Sequence, residues 1–232
     1  MFIDNRDIGT FGAMLLNYDI QNAELETKKD WLSKAYRPIL INQKFYYKKI
    51  NIELIVEGLD REDVLTKCSN LSNALKSCTI KFKDMSFYYD CILDSCQIEK
   101  SISSNLVKLN YTLSAGYAYK SIITESCNRI ATKTMKANGN LITPCIVEIT
   151  PSIDIIDIAI EGLGEDQITI RNLKANKTVI LDGELCKVTE NEINKFNDTD
   201  MWEFPRLIPS DNVLKFSRNN CDIKIKYNAR FI

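Results

Sequence analysis

The chain has 232 residues, 45% of them hydrophobic and 26% charged, with 30 Lys+Arg against 31 Asp+Glu. That hydrophobic share supports a packed core and excludes a disordered chain, and the length accommodates one large domain or two of ordinary size. The near-cancelling charge removes any general drive toward nucleic acid or an anionic membrane, and no apolar run approaches the ~20 residues that cross a bilayer.

In chain order, Asp4, Arg6 and Asp7 interrupt any signal-like start, so a reducing cytoplasm is the expected setting. Residues 22–37 hold Lys28, Lys29, Lys34 and Arg37, but Glu26 and Asp30 lie among them, which suits a solvated face better than a phosphate site. This segment lacks a clean apolar stripe and reads as a loop. Its length and charge suit an arm or belt that meets a neighbouring subunit.

A strand follows in "KINIELIVEG", with Ile50, Ile52, Leu54 and Val56 on one face against Asn51, Glu53 and Glu57. Next, "DREDVLTKCSNLSNALKS" breaks the two-residue period. Asp60 is placed as an N-cap, and Val64, Leu65, Cys68, Leu71 and Leu75 recur at helical spacing, which predicts a helix over about 61–77. Alternation returns with Ile80 and Phe82 against Lys81 and Lys83. It continues with Val107, Leu109, Tyr111 and Leu113 against Leu106, Lys108, Asn110 and Thr112. A helix between strands closes the core on one face of a sheet.

Residues 121–132 show no clean alternation, and short runs with turn signals every ten or so residues follow, as in a β-sandwich. The expected organisation is therefore two domains, 1–130 with the helix and 131–232 all-β. Within the second, "ILDGELCKV" reads as a hairpin in which Asp182-Gly183 supplies positive φ at a tight turn flanked by strand residues Ile180 and Leu185.

The stretch "DTDMWEFPRLIPSDNVLKFS" admits two readings. Pro205 forces Phe204 to be extended and removes a strand donor, so "EFPRL" is an edge strand or a crossing between sheets. Burying Trp202 would contribute on the order of 4–6 kcal/mol, which favours Trp202 and Phe204 as interior anchors with Arg206 paired to a carboxylate. The competing reading displays Trp202 for stacking on a sugar.

Catalytic chemistry is sparse. With no histidine, Ser-His-Asp and Cys-His mechanisms are excluded, and there is no GxSxG, GxxxxGK[ST] or GxGxxG motif. The eight cysteines sit singly without a CxxC pair, so neither zinc nor a disulfide framework is expected, and they read as small hydrophobes. No cofactor or metal is expected. Asp182 and Glu184 are the one obvious carboxylate pair for a glycosidase, but the turn already accounts for Asp182.

The ordered set of "VILDGELCKVT", "NKFNDTDMWEFPRLIPSDNVLKFS" and "DIKIKYNARFI", with the opening "MFIDNRDIGTFGAMLLNYDIQ", resembles phage distal tail proteins of the siphovirus-type tail component family. The matching positions are structural: Asp182, Gly183 and Glu184 in the hairpin, and Trp202, Phe204, Pro205, Arg206 and Pro209 in the crossover. Where the family usually reads Pro-Gly-x-Asn, this chain has Pro209-Ser210-Asp211-Asn212. The resemblance implies a mainly β fold: a tail-tube-like, sandwich-like N-terminal domain with one helix, then a galectin-like β-sandwich. It implies a structural protein of the virion tail tip, assembled in the bacterial host cytoplasm, and no enzyme. The first domain would form a homo-hexameric ring through whose channel DNA passes without specific binding. Partners would be the tail tube protein, a tail-tip fibre or tail-associated lysin protein, and a receptor-binding protein docked on the second domain. The alternative reading is a carbohydrate-binding module of a tail-tip protein.

Overall fold

The computed structural model describes residues 1–34 and 36–232, without the side chains of 99–102. The protein is mainly β and divides into two compact units, Met1–Tyr119 together with Ile232, and Lys120–Phe231.

The first unit is built on one antiparallel sheet. Its strands run in the order Arg6–Asp7, Phe2–Ile3, Ser77–Lys81, Tyr88–Ser103, Leu106–Tyr119, Lys48–Glu57 and Ala13–Ile20. The alternation in Lys48–Glu57 becomes burial: Ile50, Leu54 and Val56 are fully buried, and Leu109, Tyr111 and Leu113 face the same core from the neighbouring strand. Helix Arg61–Leu75 lies on this face and buries Val64, Cys68, Leu71 and Leu75. Leu65, expected in that stripe, is 51% exposed, because one residue past Val64 turns its side chain about 100° away from the sheet.

The helix start is held from both directions. Asp60 Oδ1 accepts from the Asp63 N–H at 2.8 Å, and Asp63 Oδ2 accepts from the Leu59 N–H at 2.8 Å. The buried Tyr111 hydroxyl lies 2.9 Å from Ser72 Oγ on the helix, so its polar tip is satisfied inside the core.

Residues expected to form a loop are instead a hairpin. Leu25–Asp30 pairs antiparallel with Ile39–Phe45 as a separate two-stranded sheet, with a bulge between Lys28 and Lys29. Ala35 lies outside the described residues. No described residue of the two strands is buried.

The second unit is a two-sheet sandwich. One sheet runs Ile123–Ser126, Cys221–Tyr227, Thr143–Pro151, Val179–Asp182, Lys187–Glu190, Ile193–Asn194; Arg206–Leu207 also pairs with the start of Thr143–Pro151. The other runs Thr132–Lys136, Asp211–Phe216, Ile155–Glu161, Ile168–Leu173, Thr199–Asp200. Val147, Ile149, Leu181 and Ile225 from the first sheet share a core with Ile158, Ile160, Ile170 and Leu214 from the second. Each such side chain contributes roughly 1.5–3 kcal/mol by leaving water. All eight cysteines are free thiols, and six of them are buried, Cys127, Cys145 and Cys221 in this core.

Candidate functional site

Gly183 of the hairpin and Pro205 of the crossover meet at one junction in the second unit. Thr199–Asp200 pairs with Ile168–Leu173 in one sheet, and Arg206–Leu207 pairs with Thr143–Pro144 in the other, so the segment between them crosses from sheet to sheet. Asp211–Phe216 then returns to the first of these. Pro205 sits at the landing point and is buried, and Leu207 beside it is fully buried.

Three backbones join there. The Cys145 N–H donates to the Pro205 carbonyl and the Gly183 N–H donates to the Cys145 carbonyl, each at 3.0 Å. A β-carbon on Gly183 would lie 2.2 Å from the Pro205 oxygen and 2.8 Å from the Cys145 oxygen. Burial in this packing pushes the Cys145 thiol up to about 12.

The glycine is therefore required by space and not by backbone angle. Gly183 is not in the left-handed region; in the turn Gly183–Cys186 the positive φ belongs to Cys186, at 53°. The tight two-residue turn expected from Asp182-Gly183 is thus a longer one, and Leu185, expected in a strand, lies in it and is 61% exposed. Asp182 organises this turn, with its Oδ1 accepting from the Glu184 and Leu185 N–H groups at 2.9 Å each.

Trp202 is not an interior anchor: it is 90% exposed. Trp202 and Glu203 form a bend ahead of the stretch that lands on the second sheet, whereas Pro205 and Leu207, two residues apart, point inward and Ile208 outward. Phe204 is half-buried; it packs in part on the core and stacks on Phe196 with ring centroids 6.0 Å apart. Arg206 pairs with carboxylates as expected, with Nη2 2.6 Å from Glu203 and 3.4 Å from Glu165.

Glu184 forms an ion pair with Arg230. Both members of the expected carboxylate pair thus have structural work, Asp182 in the turn and Glu184 in the pair. Pro209 is exposed, and the turn after it is closed by Asn212, which is buried. Its Oδ1 accepts from the Ile208 N–H and its Nδ2 donates to the Ile208 and Ser210 carbonyls, all at 3.0 Å. Ser210 is not among the residues with positive φ, so serine is accommodated where the related sequences carry glycine. Among the described residues, no group of three or more His, Cys, Asp and Glu side chains is arranged to hold a metal ion.

A second surface escaped sequence reasoning. The hairpin Leu25–Asp30/Ile39–Phe45 carries Leu25, Leu40, Ile41 and Phe45, which are between 44% and 64% exposed. Leu25 stands opposite Phe45 and Thr27 opposite Gln43, while the alternating positions pair Glu26 with Lys44 and Lys28 with Asn42. Lys29 pairs with Leu40 and Ile41 is the bulged residue, so the exposed apolar side chains are interleaved with polar ones. The available signal was "ILINQKF", a run rich in β-formers, but its bulge hides the period of two.

Residues 138–231 match the family described as the siphovirus-type tail component, C-terminal domain. Over its whole length the chain has the fold of a distal tail protein. It superposes on the Dit protein of phage SPP1, described as a paradigm of the hub adsorption apparatus in phages infecting Gram-positive bacteria. That match has a TM-score of 0.81 at 12% identity and covers 99% of this chain and 98% of that one. A chain of the phage P2 baseplate in its calcium-activated conformation gives 0.59 at 11% identity, covering 96% and 92%. The strontium-activated baseplate gives 0.58 at 12% identity, covering 97% and 94%. No curated protein sequence matches the chain.

Proposed function

We propose that this protein is the distal tail hub of a siphovirus-type tail: a homo-hexameric ring at the tail tip that joins the tail tube to the tip. The observation that carries this reading is the match of fold over essentially the full chain to a hub protein, with the tail-component family covering the second unit. The first unit builds the ring, and the second carries the docking surface for a tail-tip fibre or lysin protein and for a receptor-binding protein. Balanced charge, 30 cationic against 31 anionic residues, suits a channel through which DNA slides without being held. The role is structural rather than enzymatic, in keeping with an Asp182 and Glu184 already engaged in turn and ion pair.

The hairpin arm supports the ring. A lone two-stranded hairpin is marginal in water, and this one leaves Leu25, Leu40, Ile41 and Phe45 exposed. A neighbouring copy of the chain is the natural cover, since heterologous contacts that close on themselves generate rings.

Native mass spectrometry and negative-stain imaging of the full chain, alone and mixed with tail tubes, test the proposal. Six-copy rings, free or seated on tube ends, are expected. A monomer under both conditions would overturn it.

A further inference from the structure

A groove of about 490 Å³ opens on the second unit beside the crossover, within the size range of small-ligand sites. Its aromatic wall is Phe196 and Phe204, whose rings stack 6.0 Å apart at 26°. Trp202 is not part of the lining. Lys187, Glu192 and Asn197 also line the groove and, among the described residues, make no side-chain hydrogen bond or ion pair. The groove thus presents one cation, one carboxylate and one amide, all unengaged, around an apolar platform.

Two lining residues hold strained backbone. Cys186 has φ of 53° and Glu192 of 66°, in the left-handed region that residues with a β-carbon seldom adopt. Both are turn positions: Asn191 and Glu192 are the two central residues of the hairpin joining Glu190 to Ile193, a turn that needs positive φ at both, and Cys186 ends the turn before it, so the side chains are held by turn geometry.

We propose that this groove is a carbohydrate-binding site that takes a neutral pyranose of a cell-surface glycan. The flat C–H face of the sugar lies on the phenylalanine rings, and its hydroxyls, each both donor and acceptor, engage Lys187, Glu192 and Asn197 together. A phosphate or acidic ligand would meet Glu192 as a repulsive neighbour. An extended peptide could not add to Lys187–Glu190, where Thr189 and Glu190 pair with Ile193–Asn194 and the Val188 carbonyl accepts from the Lys195 N–H at 2.8 Å, and the edge strand Ile193–Asn194 offers only two residues.

Saturation-transfer NMR on the full chain with glucose, galactose, N-acetylglucosamine and rhamnose, each tested separately, decides the matter. Transfer to at least one sugar is expected, weakened about tenfold or more in Phe196→Ala and Asn197→Ala, while Ile156→Ala on the other sheet leaves it unchanged. Circular dichroism and melting curves confirm that each variant folds. No transfer from the folded protein to any of the four sugars would overturn the proposal, as would transfer that survives both groove variants. Binding of an apolar peptide library in place of sugars, lost in Phe196→Ala, would assign the groove to a protein partner and overturn it too.

Discussion

The α-carbon of Gly183 faces the carbonyl of Pro205 so closely that a β-carbon added to the glycine would lie 2.2 Å from that oxygen. Hairpin and crossover, 22 residues apart in sequence, are thereby locked to each other and to Cys145, whose peptide bonds to both.

Gly183→Ala is expected to destabilise the protein by about 1–3 kcal/mol, because a strand or the crossover must shift to admit the methyl group. Gly116→Ala serves as the control: nothing lies within 4 Å of its added β-carbon, so its stability stays within about 0.5 kcal/mol of the parent. Urea unfolding of both variants separates the two outcomes, and equal midpoints would refute the steric account.

Trp202→Ala should leave stability within about 0.5 kcal/mol of the parent, since the side chain is 90% exposed. Leu207→Ala, five residues further along the crossover and fully buried, should cost about 2–5 kcal/mol. Thermal melts of the pair test whether the inward face of the crossover, and not its tryptophan, anchors the sandwich.

The double substitution Ile41→Glu with Phe45→Glu places charge among the exposed apolar side chains of the hairpin arm. The monomer should fold with its melting temperature unchanged, because neither residue is buried within its own chain. Ring formation should be lost in sedimentation velocity runs in which the parent sediments as a hexamer. A variant that still assembles would remove the arm from the ring contact.

Acid should weaken the fold through carboxylates held below the usual range. The Lys67 ammonium and then the Leu59 N–H lower Asp63, while Lys195 and then Asn172 lower Asp198. A depressed folded value means that the stabilisation is complete above the ordinary aspartate value of 3.8 and is lost as pH falls through the lowered one. Melting temperatures should therefore fall below about pH 4, and less steeply in Asp63→Asn. An acid branch identical in the variant would show that Asp63 contributes nothing to it.

Much of the fold was legible from the period of the side chains. Ile50, Ile52, Leu54 and Val56 announced a strand with one buried face, and Asp60 with Val64, Cys68, Leu71 and Leu75 announced the capped helix that covers it. The hairpin arm was not legible, since its strands bury no described residue and its bulge breaks the alternation that sequence reading depends on. Trp202 misled because transfer energy argues for burial, whereas the bend at Trp202 and Glu203 leaves its side chain in solvent.

By itself, the sequence determined a mainly β protein with one amphipathic helix, thiols that pack as small hydrophobes, and an ordered set of turn and crossover residues that resembles phage tail components. These features are local, encoded in patterns of a few residues. Only the tertiary structure decided that Gly183 is present for the space taken by Pro205, that Trp202 points to solvent, and that Phe196 and Phe204 meet beside a groove. Each of these depends on which distant backbones touch, a property of sheet pairing and sheet crossing that no short stretch of sequence contains.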